Sequence, residues 1–479
     1  MQIQIVSGTT TDEAANFRAS LPLNLIPVPM KTEISSGYLR TADGMIEFAD
    51  SISSVGADRG AINWDGICYR VIGEFLTRVN ADQTIDYLGA LSNDGRRSVM
   101  VNSFDRLAIA SAGQLYYWSP TLPLAQVTDP DLGLVLDVVW IAGYFVTTDG
   151  VSLVATDLGD PFAVNPLKYG SSEVSPDPVN SLLVIRNELI AINRYTIETF
   201  QNVGGTLFPF QRIEGAMIPK GSVGTHASCY YLETFAFVGG GYNENISVYV
   251  GAPGNAVKIA TREIEMQLEA YTEEQIADIV IEARADKMHQ FLYVHLPDRT
   301  LVYDAMASSI FQEPIWHVLA SGPDGDMPYR ARNFVNCYGK WLFGDLQSTK
   351  IGYYTQRDAR EFGATVPWQF DTALVFNGTA GAVFDAMELV RLPGREAINP
   401  LLPPVTVEAT VFLSYTLDGL SWSAPRSSLR TRPGMTMART AWRRLGKMAL
   451  WRGMRFRGMN NPYPDAFARL DARVEALDT

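Results

Sequence analysis

The stretch Leu107-Ala-Ile-Ala-Ser-Ala-Gly-Gln-Leu-Tyr-Tyr-Trp118 sets the pattern for most of this chain. It contains an apolar strand, a turn with glycine and a second, aromatic strand, which is typical of an antiparallel β-hairpin. The same arrangement recurs in other residues between about Asp58 and Thr355. Further copies are Gly66–Gly73, Val138–Gly150, Leu182–Ile192, Tyr230–Val238, Gln290–Tyr303 and Val335–Phe343.

The copies are spaced like the blades of a β-propeller. One strand in each can be anchored on Ile67, Leu107, Tyr144, Leu189, Phe235, Phe291 and Trp341, and successive anchors lie 37 to 56 residues apart. A four-stranded propeller blade takes roughly 40–50 residues. A single such unit cannot bury its apolar faces, whereas units stacked radially cover one another. We therefore predict a mainly β chain with a β-propeller-like array of six or seven antiparallel units; an irregular set of β-sandwiches is the alternative.

The flanking residues suggest further parts. From residue 362 to 479 the strands alternate cleanly between apolar and polar residues, as in Val405–Tyr415, which predicts a C-terminal β-sandwich or barrel, here termed the platform. Residues 1–57 are rich in turns, and we predict that they pack on the platform. Residues 58–361 then form the propeller-like array. Thr272-Glu-Glu-Gln275 has the form of a capping box and predicts a short helical insert near residues 272–280.

Charge is unevenly distributed along the 479 residues, whose net charge is −13. No acidic residue lies between Asp418 and Asp465. The cations of this segment are Arg426, Arg430, Arg432, Arg439, Arg443, Arg444, Lys447, Arg452, Arg455 and Arg457. We predict that they form an interface with an acidic protein surface. The alternative is that they are simply solvated on a half-buried sheet. A nucleic-acid clamp is less favoured, because the chain is acidic overall and the segment has no recognisable DNA-reading helix.

Catalytic and metal-binding signatures are not evident in the sequence. The four histidines are scattered, and the three cysteines form no CxxC pair. No stretch approaches the roughly 18 apolar residues of a membrane helix. We therefore predict a protein that is not an enzyme, with no cofactor and no membrane-spanning segment. A carbohydrate-binding adhesin using Trp422 or Trp442 remains an alternative, and a propeller glycosidase with two carboxylates beside a cleft is a weaker one.

Several segments, taken in order, carry a resemblance to a known family. They are Leu21–Pro29, Ser35–Arg40, Ala270–Ile276, Leu292–Pro297, Leu301–Ala305, Thr416 with Asp418-Gly419, and Trp442–Gly446. Their order and spacing make the chain similar to the tail hub or nozzle proteins of short-tailed bacteriophages, also called packaged DNA stabilisation proteins. The resemblance spans almost the full length.

The resemblance implies a homohexameric ring in the virion tail, made in the host cytoplasm. Such a ring lies below the portal-adaptor ring, continues the DNA channel and retains packaged DNA. It also carries a tail needle or plug and the receptor-binding tailspikes or fibres. Double-stranded DNA passes through without sequence-specific binding, and cationic walls would retain it through counterion release. We therefore expect the arginine-rich segment to face protein and the acid-rich remainder to lie nearer the channel.

Overall fold

Antiparallel sheets account for most of the molecule. The computed structural model describes residues 2–3, 21–32, 34–50, 56–172, 174–377, 380–391, 410–419, 421–429, 439–460, 462 and 464–477. Within these ranges the strands form nine sheets, accompanied by three short helices. Seven sheets belong to one ring and the other two form a sandwich, which confirms the predicted mainly β architecture.

The seven sheets of the ring are the blades of a β-propeller. The innermost strands of successive blades lie side by side, and that of the seventh blade contacts Asp58–Trp64 of the first, which closes the ring. All seven anchor residues of the sequence pattern lie in the second strand from the axis of their blades.

Each blade is built from a continuous stretch of chain, except for the last. Blade one contains Asp58–Trp64, Ile67–Ile72, Phe75–Val79 and Ile85–Ala90; blade two Val99–Asn102, Leu107–Ser111, Gln114–Ser119 and Leu122–Gln126; blade three Asp137–Ile141, Tyr144–Thr148, Ser152–Thr156 and Val164–Ser171; blade four Val179–Ile185, Glu188–Asn193, Ile197–Asn202 and Phe210–Arg212. Blade five contains Gly221–Ser222, Ser228–Tyr231, Thr234–Gly240, Ser247–Ala252 and Asn255–Lys258; blade six Val280–Asp286, His289–His295, Thr300–Asp304, Trp316–Ser321 and Met327–Pro328; blade seven Ala331–Cys337, Lys340–Asp345, Lys350–Thr355 and Gly44–Asp50.

A separate apolar core fills each of the seven gaps between neighbouring blades. Between blades two and three, for example, the rings of Tyr117 and Phe145 lie 5.0 Å apart. A middle strand is therefore covered on both faces, and Leu107–Ser111 is buried at all five positions. The outer strand Leu122–Gln126 has no fully buried residue. Double-sided burial explains why the middle strands read as near-continuous apolar runs.

The ring is closed by a strand from near the N-terminus. Gly44–Asp50 pairs antiparallel with Lys350–Thr355 and supplies the fourth strand of blade seven. Phe48 of this strand is buried against Tyr338 and Tyr353. The prediction that residues 1–57 pack on the platform is therefore wrong for this strand, because the outer edge of blade seven would otherwise expose unpaired backbone groups.

A buried polar network lies at the seam where blade seven meets blade one. The Arg70 guanidinium donates to the Asp58 carboxylate at 2.5 Å and to the Asn333 carbonyl oxygen at 2.9 Å. The Asn333 side-chain amide donates to the same carboxylate at 2.6 Å. All three residues are buried. Because each charged or polar group has a partner, the network holds the two ends of the ring in one register.

The helices connect strands of the propeller. Arg262–Glu269 and Glu273–Ala277 lie between blades five and six, and Ala305–Phe311 lies within blade six. The predicted capping box is confirmed: the Thr272 hydroxyl accepts from the Gln275 amide, and the Gln275 side chain accepts from the Thr272 amide.

The C-terminal part is a two-sheet sandwich with its own core. One sheet has the order Leu25–Val28, Tyr38–Thr41, Ala466–Ala476, Ala382–Arg391 and Ala441–Met448, with Gln2–Ile3 also paired to Ala466–Ala476. The other has the order Pro367–Asp371, Trp451–Met459, Thr410–Thr416 and Arg426–Leu429, with Val375–Phe376 also paired to Trp451–Met459.

Residues 22–24 tie the sandwich to the propeller. The backbone of Leu23 exchanges hydrogen bonds with Gln369 of the sandwich, and the backbone of Asn24 donates to Val318 of blade six. The Asn24 side chain donates to the carbonyl oxygens of Ala320 at 2.9 Å and Pro367 at 2.8 Å. One short segment therefore bonds to both domains.

The buried seam network predicts a large stability effect. Arg70→Leu leaves the Asp58 carboxylate buried without its cation, so we expect the free energy of unfolding to fall by about 3–5 kcal/mol. The control is Arg78→Leu in the same blade, where a half-exposed pair with Asp86 contributes no more than about 1 kcal/mol. Urea denaturation followed by tryptophan fluorescence measures both. Equal losses for the two variants would contradict a special role of the seam.

A buried carboxyl near the domain junction predicts a pH effect. Burial raises the pKa of Glu361 to about 7, although a hydrogen bond from Ser321 opposes the shift. The folded state binds this proton more tightly than the unfolded state. The stabilisation of the fold by the bound proton is therefore complete below about pH 4.5 and is lost as pH rises through 7. We expect Glu361→Gln to stabilise the chain at pH 8 by up to about 3 kcal/mol relative to its effect at pH 5.

The control for this measurement is Glu274→Gln, which changes an exposed carboxylate on the helix Glu273–Ala277. Urea denaturation at the two pH values compares both variants with the unaltered chain. The same change in stability at pH 5 and pH 8 for Glu361→Gln would rule out the titration of this carboxyl.

Candidate assembly surface

The arginine-rich segment closes one side of the sandwich. Its strand Ala441–Met448 is the edge of one sheet, and Arg426–Leu429 is the edge of the other. The two edge strands are in contact, and Trp442 donates its indole N–H to the Arg426 carbonyl oxygen at 2.7 Å. Trp451–Met459 follows directly and runs inside the second sheet. The cations are thus divided between an open rim and the interior.

Arg426 holds the two edges together. Its guanidinium donates to the carbonyl oxygens of Arg444 at 2.7 Å and Arg443 at 3.0 Å. Edge strands present unpaired carbonyl groups that would otherwise be open to another chain. Arg426 donates hydrogen bonds to two of them from the opposite sheet. It therefore links the two sheets of the sandwich, although the residue itself remains exposed.

Arg452 also links the two sheets, from the interior of the sandwich. It is 1% exposed and donates to the carbonyl oxygens of Leu445 at 3.0 Å and Lys447 at 2.9 Å. Its guanidinium also lies over the rings of Phe384 and Tyr415. Burial lowers the pKa of Arg452. The predicted interface role is therefore wrong for Arg452, because a side chain enclosed by its own domain cannot reach a partner.

Arg455 is also committed to its own chain. Its guanidinium makes a two-pronged contact with the Asp371 carboxylate, at 2.9 and 2.8 Å. It stacks on the Trp422 ring at 3.9 Å. The indole is thereby partly covered, and Trp442 is only 3% exposed. Trp442 is thus too buried for the adhesin alternative, and Arg455 occupies one face of Trp422.

The remaining cations differ in exposure and pairing. Arg443, Arg444 and Lys447 are exposed and form no ion pair with any described residue; we call these three residues the basic edge. Arg457 is likewise exposed and without an ion pair among the described residues. Arg439 is exposed and lies 3.2 Å from Glu388. Arg430 and Arg432 lie outside the described residues.

A β-bulge sets the shape of the basic edge. Arg444 adopts a left-handed conformation with φ of 56°, and the pairing register shifts opposite it, between Phe384 and Ala386. Two consecutive residues, Arg443 and Arg444, therefore both turn toward solvent. Pairing through Ala386 places Arg473 in line with Arg443. The Arg473 side chain is 83% exposed. It was not predicted from the sequence as part of the basic surface, because it follows Asp465 and lies outside the basic run.

The described residues contain no group of three or more metal-ligating side chains. His289 and His317 are buried, and burial lowers the pKa of His317 to about 3. His289 contacts the Asp304 carboxylate at 2.6 Å inside blade six. Across the described ranges, no helix has the length and apolar character needed to cross a membrane.

A seven-bladed propeller tied to a sandwich with a basic rim defines a two-domain β protein. Two family models match this division: one described as "Bacteriophage P22 Gp10, beta-propeller" covers residues 1–359, and one described as "Bacteriophage P22 Gp10, beta-sandwich" covers residues 367–475. The chain belongs to the bacteriophage P22 Gp10 family. The resemblance to short-tailed phage tail hub proteins inferred from the sequence is thereby confirmed.

Named relatives agree with the family. The chain is 27% identical to the "Tail hub protein gp10" of Salmonella phage P22, over 95% of this chain and 96% of that protein. Among solved structures it is similar to virginiamycin B lyase from Staphylococcus aureus, with 12% identity, a TM-score of 0.44, and coverage of 65% and 99%. The WD40 domain of Neurospora crassa Pan2 gives 10% identity, a TM-score of 0.40, and coverage of 65% and 95%. At these scores neither structure bears on function.

A buried and an exposed arginine of the same strand predict different effects on the stability of the sandwich. Arg452→Leu leaves two edge carbonyl groups without donors, so we expect the local opening free energy to fall by about 2–4 kcal/mol. Arg457→Leu, in the same strand, changes it by no more than about 0.5 kcal/mol because its side chain is exposed. Hydrogen exchange of residues 441–459, followed by mass spectrometry, measures the difference. Unchanged exchange in Arg452→Leu would mean that the edge is held by other contacts.

Proposed function

We propose that this protein is a structural tail hub protein of a bacteriophage virion. The observation that carries the proposal is the match of both domains, over nearly the whole chain, to the P22 Gp10 family. The named relative of similar length is a tail hub protein. Its role is structural, so the protein acts through the surfaces it presents and not through turnover of a substrate.

The protein assembles as a homohexameric ring. A ring requires head-to-tail contacts between two different surfaces of each subunit. The basic edge is suited to one of them because its cations have no partner ions within the described part of the chain. The net charge of −13 means that acidic groups predominate elsewhere and can supply the complementary surface.

The ring lies below the portal-adaptor ring and continues the DNA channel. It retains packaged DNA, carries the tail needle or plug, and holds the tailspikes or fibres. Double-stranded DNA passes along its channel without sequence-specific recognition. A wall with few free cations lets DNA slide, because phosphate neutralisation by lysine and arginine is what makes DNA adhere to proteins. The basic edge therefore faces protein, and acidic residues lie nearer the channel.

Charge reversal tests the ring interface. We expect the double variant Arg443→Glu, Lys447→Glu to weaken ring formation by about tenfold or more, because like charges then meet at the interface. The matched control reverses two exposed cations in turns of blades four and six, Arg186→Glu and Lys287→Glu. Mass photometry of the purified chain counts species of six times the chain mass of 52.9 kDa. Quantitative mass spectrometry counts the copies of the chain in tails isolated from virions.

Two outcomes would count against this assignment. Equal ring formation by both double variants would remove the basic edge from the interface. Isolated tails with another number of copies would contradict the hexamer while leaving the tail hub role intact.

A further inference from the structure

A cavity of about 710 Å³ opens at one mouth of the propeller. Its wall is built from residues at or just before the first strands of blades one, two, six and seven, within the ranges 56–59, 93–97, 278–282 and 328–333. Pockets of roughly 300–1,000 Å³ are the usual size of sites that enclose a small ligand or a few side chains. The cavity is distinct from the basic edge, which belongs to the sandwich.

Guanidinium groups outnumber the available carboxylates in this cavity. Arg96 lies 3.8 Å from Asp278, and Arg97 lies 3.7 Å from Glu282, both beyond hydrogen-bonding distance. The guanidinium of Arg332 has no ion pair or hydrogen bond with any described residue. Two carboxylates thus face three guanidinium groups, none of which is held by a close bond.

The Glu282 carboxylate is held by the backbone of blade seven and not by a close bond to these guanidinium groups. Its two carboxylate oxygens accept the backbone N–H groups of Asn333 and Phe334, each at 3.0 Å. The carboxylate therefore links blade six to blade seven. The other two charges of the wall are also occupied, since Asp58 pairs with Arg70 and Arg59 bonds to Asp94 at 3.1 Å.

Titratable groups of the cavity are also enclosed by the protein. Burial lowers the pKa of His226 to about 3, and the charges of Arg97 and Arg96 add to the effect. Burial lowers the pKa of Arg332 to about 10, with Glu282 opposing. His295 is 2% exposed; its Nδ1 contacts the Thr300 hydroxyl at 2.9 Å, while its Nε2 has no partner among the described residues.

We propose that this cavity binds a carboxylate-bearing segment of a partner protein. Arginine pairs with a carboxylate through two parallel hydrogen bonds, and Arg97 and Arg332 have donors free for it. The rest of the wall is largely apolar, with Val280, Pro328 and Leu346 among its residues. An acidic residue flanked by apolar ones matches both features. A nucleic-acid backbone matches only the charge, and duplex DNA is too wide for a cavity of this volume.

Isothermal titration calorimetry with the full-length chain tests the proposal. The probe is an N-acetylated, C-amidated pentapeptide that alternates leucine with glutamate, compared with its glutamine counterpart. We expect the glutamine peptide to bind at least about tenfold more weakly, because it lacks the charge that pairs with arginine. The same glutamate peptide with a free C-terminus shows whether a chain end or an acidic side chain supplies the better carboxylate. Inorganic phosphate and a single-stranded DNA hexamer are the remaining probes.

Variants locate the binding. We expect Arg332→Met to weaken binding of the glutamate peptide by about tenfold, and Arg96→Gln, at an exposed position, to weaken it by about threefold. Arg186→Met, at an exposed turn of blade four, serves as the control and leaves binding unchanged. The proposal fails if the glutamine peptide binds equally well, if DNA binds more tightly than the glutamate peptide, or if no peptide binds at millimolar concentration. It also fails if neither cavity variant weakens binding. None of these results bears on the tail hub assignment.

Discussion

Closure of the propeller is the constraint on which the rest of the structure depends. Each blade is covered by two neighbours, so a missing contact at any point would expose two apolar faces at once. Two features meet at the only break in chain order within the ring as described: the strand Gly44–Asp50 completes blade seven, and the Arg70–Asp58–Asn333 network joins that blade to blade one. The loops at the propeller mouth keep their relative positions because this seam holds. The sandwich is anchored to the closed ring through residues 22–24.

Much of this fold could be predicted from the sequence because the blades impose a local pattern. Burial on both faces makes the second strand of each blade an apolar run, and all seven anchor residues, from Ile67 to Trp341, lie in such strands. The destination of Gly44–Asp50 could not be predicted, since its partner Lys350–Thr355 lies some 300 residues away and its own sequence looks like any short strand. The helix Ala305–Phe311 also could not be predicted from the sequence. Its N-cap, Asp304, belongs to the preceding strand and gives no separate signal.

The basic segment shows a different limit of prediction from the sequence. Its composition predicted a single surface, but the structure divides the arginines by their hydrogen-bond acceptors. Arg426 and Arg452 satisfy backbone carbonyl groups of an edge strand, whereas Arg443 and Arg444 face solvent because of a bulge. Neither the register nor the bulge can be read from one sequence. The cavity at the propeller mouth was missed altogether, since its residues come from loops that the sequence separates widely and the ring brings together.

The position of Gly44–Asp50 has a consequence for biosynthesis. This strand is translated before the first blade, yet its partner is made only after six blades have been translated. The propeller therefore cannot be completed during synthesis of its first blades. Until Lys350–Thr355 has been made, Gly44–Asp50 remains in the nascent chain without its partner strand. Pairing over such a sequence separation is slow because a long loop must close first. A truncated product that stops before Thr355 would keep an open seam, so only chains synthesised past that point can complete the ring.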